Sequence, residues 1–309
     1  TLLALVALPG ALMMIGSTPP IEETIARYAA SITACWNLYF DGWAEEIRPY
    51  LSLHLSSLTA LAKTPSKYQK SAAALSSQAY RLEWLLALQD QDFGKALSAT
   101  REGAICGEIS GDTNLIAAAH ARRAHVYFHL KNPTQQMRQY KAALQYSSNA
   151  SPLLKSWINM SMAENYASLY QVEQAERLID LARKQFPEHP EEDPAASYVE
   201  VSQYRLSMWE ARTALRLSQP QKALDALQRV EQSVPEALTP NRVELLNQQL
   251  VALCDLGELE KACDVFEIAE RGARQSKLRY NEVCEVYSTM CEKWPKEKRV
   301  LELETLLRR

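Results

Sequence analysis

An internal repeat runs through most of this sequence and limits the folds that it can adopt. A small residue is followed four positions on by a large one and three further on by a second small one, in copies that begin at Ala96, Gln136, Ala175, Ala223 and Ala262. Gln136 stands in place of the usual Ala, and the copy at Ala96 is weaker. The five starting positions are separated by 40, 39, 48 and 39 residues. A fixed period of this length is typical of solenoids, in which each repeat buries its apolar face against its neighbours.

Each period contains two amphipathic stretches separated by a turn, which predicts one helical hairpin per repeat. Two antiparallel helices approach closely only where small side chains meet, and a bulky residue one turn later fills the gap against the next hairpin. Ala163 and Tyr166, followed by Ala175, Ile179 and Ala182, fit this arrangement best. Turns are predicted at 90–94, 131–133, 218–220 and 255–258, where Asp, Asn, Gly and Pro are concentrated.

Composition agrees with helix throughout and excludes several kinds of protein. Only 9 of the 309 residues are glycine, and 47% are apolar, so a disordered chain is excluded. The net charge of −3 provides no overall field that would attract nucleic acid or an acidic membrane. We therefore predict an all-α protein without direct nucleic-acid or membrane binding.

Over residues 68–300 the residues quoted above resemble the tetratricopeptide repeat family. The period differs from the 34 residues usual in that family, and the positions near Glu83 and Trp84 lack its Leu-Gly pair. The longer period indicates helices about one turn longer. The resemblance implies a right-handed superhelical solenoid of tetratricopeptide-like helical hairpins.

Three segments carry a narrower resemblance. Residues 31–40, 151–194 and 238–262 are similar to the C-terminal helical-repeat portion of bacterial transcriptional regulators with a helix-turn-helix domain at the N-terminus. That resemblance implies a sensing or oligomerising half in the cytoplasm, with DNA binding carried by a part absent from this chain. A structural or dimerisation scaffold and an accessory domain of an enzyme are the alternatives.

The domain organisation follows from the repeats. Residues 1–20 are predicted to be an apolar linker or packing helix, 21–66 an N-terminal capping helix pair, 67–278 the repeats, and 279–309 a C-terminal capping pair. The acidic stretch 188–197 is predicted to be a loop that explains the 48-residue spacing. Because the chain begins with Thr, we expect a fragment or processed product, and the first segment is alternatively a signal or anchor remnant. Otherwise it should pack on the N-terminal helices or pair two chains as a homodimer.

Chemistry-bearing motifs are sparse. His125 and His129 are one helical turn apart, but no Glu follows His125 and no third ligand is nearby, so partly buried or groove-lining histidines are favoured over zinc. The six cysteines form no Cys-x-x-Cys pair, which favours reduced, buried thiols. Phosphate-binding glycine motifs and a nucleophile elbow are missing. We predict no enzyme activity, no metal and no cofactor.

The binding site is predicted from the tetratricopeptide resemblance, which implies that the first helix of each hairpin lines the concave face. Residues spaced i, i+3 and i+7 then form a stripe that suits an extended peptide or protein, or an acidic group. The alternative is a solvated helix face. The predicted ligand-binding residues are Arg81, Arg122, His125, Phe128, Trp157, Met160, Glu164, Arg205, Met208, Arg212, Asn247 and Gln248.

Overall fold

The structure, a computed structural model, describes residues 21–40, 44–146, 149–196, 199, 203–231, 240–274 and 276–307. The apolar segment 1–20 lies outside the described residues. The described part contains fourteen α-helices, one short 3₁₀ helix and no strand. The predicted all-α fold is confirmed.

The helices are α1 (Ile21–Phe40), α2 (Ala44–Lys63), α3 (Gln69–Gln89), α4 (Phe93–Ser110), α5 (Thr113–His129), α6 (Pro133–Gln145), α7 (Pro152–Ser168), α8 (Val172–Gln185), α9 (Gln203–Arg216), α10 (Pro220–Gln228), α11 (Pro240–Leu256), α12 (Leu259–Ala273), α13 (Lys277–Lys293) and α14 (Lys298–Leu307). The 3₁₀ helix Pro190–Glu192 lies in the acidic stretch between α8 and α9. None of the described helices is both long enough and apolar enough to cross a membrane.

The chain divides into two compact units. The first extends to Leu154 without residues 89–91, and the second contains 89–91 and the chain from Lys155 onward. Each unit is built from helical hairpins packed in chain order. In the second unit, α9 and α10 pair, α11 and α12 pair, and the first helices α9, α11 and α13 also contact one another in sequence.

The turn inside each repeat has the same backbone geometry. One residue adopts a positive φ between 52° and 81°, five positions before each repeat start, at Gln91, Lys131, Tyr170, Ser218 and Gly257. The N–H of the next residue donates to the carbonyl five positions earlier, as that of Glu258 does to Leu253 at 3.0 Å. This is the hydrogen bond of a Schellman helix end. The repeat register is therefore defined by five equivalent helix ends, of which only one carries glycine.

Small residues set the distance between the two helices of a hairpin. The starting residues of all five copies are buried: the four alanines are 0% exposed and Gln136 is 4% exposed. Ser77 donates to the carbonyl of Gly103 at 2.8 Å, and Ser156 donates to the carbonyl of Ala182 at 2.8 Å. Both bonds join first to second helix across 26 residues, so the hairpins α3–α4 and α7–α8 repeat the same close approach.

The larger apolar residues of the pattern fill the core between hairpins. Leu227 and Phe266, the large residues of the last two copies, are both fully buried. Phe266 belongs to a cluster that continues through Met290 of α13 and Leu303 of α14. The last helix pair therefore extends the core of the repeats, and α13 begins two residues before the predicted start of that pair.

Candidate functional site

A cavity of about 360 Å³ opens on the first-helix face of the second unit. The residues that line it belong to α7, α9, α11 and α13, which are the first helices of four consecutive hairpins. The lining residues are Glu164, Arg212, Leu215, Arg216, Glu244, Asn247, Gln248, Val251, Cys254, Asp255, Arg279, Glu282, Glu285, Val286 and Thr289. Four predicted ligand-binding residues lie among them: Glu164, Arg212, Asn247 and Gln248.

The centre of this face is the carboxylate of Glu244, which is 8% exposed. It accepts hydrogen bonds from Arg205 at 2.8 Å, from Arg212 at 3.3 Å and from Arg279 at 2.7 Å. Arg205 and Arg212 are seven residues apart on α9, and both contact Glu244. The prediction that they project from one side of α9 is confirmed.

Both terminal nitrogens of each guanidinium in this cluster donate to a protein oxygen. Arg212 also pairs with Glu164. Arg279 also donates to Glu282 at 2.8 Å, and Arg205 donates to the side chain of Asn241 at 2.6 Å. These arginines neutralise carboxylates of the protein itself, of which Glu164 and Glu244 are buried. An acidic ligand at Arg205 or Arg212 would have to compete with these internal partners. That the two arginines contribute to a site for an acidic or peptide ligand stays a prediction.

Electrostatics make the cluster strongly ionised. Burial by itself would raise the pKa of Glu244, but the charges of Arg279, Arg205 and Arg212 bring the pKa well below its usual range. Burial likewise favours the neutral forms of Arg212 and Arg279, but their carboxylate partners raise the pKa of both groups. Glu244, Arg212 and Arg279 are thus held in their charged forms by one another's charges.

Three buried side chains beside this cluster retain open hydrogen-bonding atoms. Gln248 is 6% exposed, and within the described part of the chain neither its Nε2 nor its Oε1 has a partner. The same holds for Oδ1 of Asn247, whose Nδ2 donates to Glu282 at 3.3 Å, and for Oε1 of Glu164. A buried polar atom without a partner costs free energy, so these atoms mark a place where a ligand or water completes the bonding.

Not all the predicted stripe residues of the second unit reach this cavity. Met160 is fully buried in a core cluster with Ala182 and Leu206. Met208 is 2% exposed and lies in the core. Predicting these two methionines as groove residues was wrong, because the helix face that they occupy packs against the neighbouring helices. Trp157 is also buried, with its ring centroid 6.5 Å from that of Trp209.

The remaining predicted residues form an aromatic and cationic group in the first unit. The guanidinium of Arg81 lies 4.1 Å from the ring centroid of Trp36, and that of Arg122 lies 5.1 Å from the centroid of Trp84. The rings of His125 and Phe128 are 5.9 Å apart. Cation–π contacts of this kind fix the orientation of the arginines.

Sequence reasoning missed Glu244, Arg279 and Glu282. The sequence did contain a signal for Glu244. The i, i+3 spacing that relates Arg205 to Met208 on α9 also relates Glu244 to Asn247 on α11. Applying the same register to α13 would have selected its first-turn residues. They were overlooked because α13 was assigned to a capping pair and not to the binding face.

The histidine, cysteine and acidic side chains of the described residues are not gathered into a metal-binding or nucleophilic site. The described residues contain no group of three or more His, Cys, Asp or Glu side chains placed to hold a metal ion. All six cysteines are free thiols. Burial raises the pKa of Cys35 and of Cys106 to about 11 and that of Cys254 to about 12, so these three thiols are poor nucleophiles.

Comparison with solved structures identifies the type of fold. A Rap protein complexed with competence and sporulation factor is 12% identical, with a TM-score of 0.57 over 96% of this chain and 82% of that one. Its likeness and the hairpin geometry show a helical solenoid with a tetratricopeptide-like repeat.

Two further structures are similar over much of their length. BtubC (BKLC) from P. vanneervenii is 17% identical, with a TM-score of 0.48 over 72% of this chain and 90% of that chain. The P58(IPK) TPR domain is 13% identical, with a TM-score of 0.28 over 99% of this chain and 97% of that chain. No protein-family model matches the chain, and no curated protein sequence matches it either.

Proposed function

We propose that this protein is a non-catalytic interaction module that binds a peptide segment in the cavity between α7, α9, α11 and α13. The observation that carries the proposal is Gln248, a buried amide in the cavity wall whose donor and acceptor atoms have no partner in the described part of the chain. A peptide backbone offers one acceptor and one donor per residue, which is the complement of a primary amide. The adjacent Oδ1 of Asn247 supplies a second acceptor.

The support extends beyond these amides. The cavity volume of about 360 Å³ lies within the usual range for ligand sites, roughly 300–1,000 Å³. First helices of stacked hairpins provide the extended surface that solenoid proteins use for binding. The Rap protein of similar fold was solved in complex with competence and sporulation factor, which agrees with a role in binding partners.

The test is peptide binding by a pair of glutamine variants. A fluorescent positional-scanning hexapeptide library identifies a binding sequence, and its affinity is then measured for Gln248→Leu and for Gln228→Leu. Gln228 is exposed on α10 and outside the cavity lining, so it serves as the matched control. We expect Gln248→Leu to weaken binding at least tenfold, since a lost hydrogen bond to a buried amide costs about 1–3 kcal/mol.

Stability separates this role from a structural one. Replacing a buried amide that has no partner by an apolar group of similar size removes a desolvation cost, so Gln248→Leu should unfold at the same or a higher denaturant concentration. Loss of stability together with loss of binding would mean that Gln248 holds the fold. Unchanged peptide affinity in Gln248→Leu would reject the cavity as the binding site.

The setting of this module is a second part of the proposal. The resemblance of residues 31–40, 151–194 and 238–262 to bacterial helix-turn-helix regulators favours the cytoplasmic sensing half of a transcriptional regulator. Genomic DNA selection with the natural full-length protein, with and without the library peptide, tests this setting. Absence of any selected DNA, together with a stable dimer by light scattering, would favour the scaffold alternative.

A further inference from the structure

We propose that the peptide held in this cavity is recognised through an arginine side chain, whose guanidinium binds the open oxygens of Glu164, Asn247 and Gln248. This inference rests on the proposed function and deepens it by specifying the ligand's chemistry.

The open atoms favour a ligand that donates hydrogen bonds. In the part of the chain that the structure describes, the cavity's buried atoms without a partner include three acceptors, Glu164 Oε1, Asn247 Oδ1 and Gln248 Oε1, and the donor Gln248 Nε2. One of the acceptors is a carboxylate oxygen on a side chain only 3% exposed. Hydrogen bonds that involve an ionised group are about twice as strong as those between neutral groups, and a cationic donor adds charge attraction to a carboxylate. A guanidinium combines positive charge with five N–H groups in one plane.

The arginines of the site leave no comparable place for an anion. The terminal nitrogens of Arg205, Arg212 and Arg279 already donate to Glu164, Asn241, Glu244 and Glu282. An anionic ligand that displaced Glu164 or Glu244 would leave a buried carboxylate unpaired, at a high free-energy cost.

The charges nearer the cavity opening do not oppose a cationic ligand. Asp255 and Glu285 line the cavity together with Arg216, so two carboxylates stand beside one arginine. Lys293 is not a lining residue and donates to the backbone carbonyls of Cys254 and Asp255. The specific contacts of the ligand therefore come from the buried oxygens.

An apolar wall suits the stem of the same side chain. Leu215, Val251 and Val286 line the cavity alongside the polar atoms. Arginine packs its methylene groups on apolar surface while its head group makes polar contacts. The cavity therefore combines the two surfaces that an arginine side chain needs.

The first experiment uses the intact wild-type chain. Its ¹⁵N-labelled side-chain amides are followed by NMR during titration with N-acetyl-argininamide, with the citrulline analogue and with the glutamate analogue. Citrulline has nearly the shape of arginine but carries no charge. We expect the Gln248 and Asn247 amide signals to shift with the arginine compound and to respond at least tenfold more weakly to the other two.

The second experiment uses the library hexapeptide and its citrulline-substituted form. Affinity should fall at least tenfold on replacing arginine by citrulline. Glu164→Gln should lower the affinity for the arginine peptide about tenfold and leave that for the citrulline peptide unchanged, whereas Glu260→Gln, on an exposed side chain outside the cavity, should change neither.

The outcomes distinguish the two proposals. Peptide binding that depends on Gln248 but is equal for arginine and citrulline forms, or stronger for a glutamate form, overturns the arginine inference and leaves peptide binding standing. Failure of every library peptide to bind overturns both. If Glu164→Gln does not fold, the wild-type comparison of arginine and citrulline peptides still decides the question.

Discussion

The charge cluster around Glu244 gives the sharpest prediction about stability. Glu244 is 8% exposed and receives hydrogen bonds from three arginines at 2.7–3.3 Å. Glu244, Glu164 and the partly exposed Glu282 balance three guanidinium groups with three carboxylates. The change Glu244→Gln preserves size but leaves one positive charge without a counterpart. Removing one partner of a buried ion pair costs about 3–5 kcal/mol.

Two control substitutions show how large a loss of stability to expect from a carboxylate that is less buried. Glu260→Gln also breaks a contact with an arginine, Arg299, but Glu260 is 68% exposed, so we expect a loss of about 0–1 kcal/mol. Glu210 is 9% exposed, and its partners Arg183 and Arg229 are each more than half exposed. Glu210→Gln should therefore destabilise by an amount between the other two.

The assay must measure the unfolding of the second unit separately from that of the first. Stacked repeats unfold in parts, so a single transition is not assured. Urea unfolding monitored by circular dichroism is therefore combined with hydrogen exchange of the α11 amides, measured by mass spectrometry. A loss of stability in Glu244→Gln no larger than that in Glu260→Gln would mean that the Glu244 carboxylate does not balance buried charge.

Acid titration provides an independent check on the same group. The folded-state pKa of Glu244 is lowered from its ordinary value of 4.5. A carboxyl with a depressed pKa stabilises the fold fully above its unfolded-state pKa, and this contribution is lost as the pH falls further. The stability difference between wild type and Glu244→Gln should therefore be constant near neutral pH and shrink progressively below about 4.5. A difference that grows in acid would contradict the assigned charges.

Three further predictions concern turns, thiols and helix content. Tyr170 and Gly257 both have positive φ, which glycine adopts more easily than other residues. In urea unfolding, Tyr170→Gly should therefore stabilise the fold by about 0.5–1 kcal/mol and Gly257→Ala should destabilise it by about 1–2 kcal/mol. Shifts of the same sign in both variants would contradict this. In the native protein, the half-buried Cys284 and Cys291 should react with a disulfide reagent before buried Cys254 does, with peptide mapping as the readout. Far-ultraviolet circular dichroism should show predominantly helix, and a substantial strand signal would contradict the fold.

Much of the fold was predictable because its determinants are local. The small and large residues of each copy recur at helical spacing, and the structure buries the starting residue of every copy. The predicted turns coincide with the helix ends near Gln91, Lys131, Ser218 and Gly257. The backbone conformation of these turns was less evident, because glycine occupies only one of the positive-φ positions. Residues such as Tyr170 adopt it because the Schellman hydrogen bonds of the helix end hold the chain there.

The candidate site was predictable only in part. Sequence spacing correctly placed Arg205 and Arg212 on one side of α9, but it could not distinguish the polar residues of that side from Met208, which lies in the core. The same helix face contacts a neighbouring first helix at some positions and the cavity at others. That division depends on how the hairpins stack.

The helices, their period and the hairpin architecture were readable from the chain alone, because they follow from the spacing of small and apolar residues within a few turns of helix. The polar contacts of the cavity were not. The contacts of Arg205 and Arg212 with Glu244 join residues 39 and 32 positions apart, and that of Arg212 with Glu164 spans 48. Such separations exceed any helical periodicity, so the stacking of successive hairpins determines which charges are paired and which oxygens have no partner among the described residues.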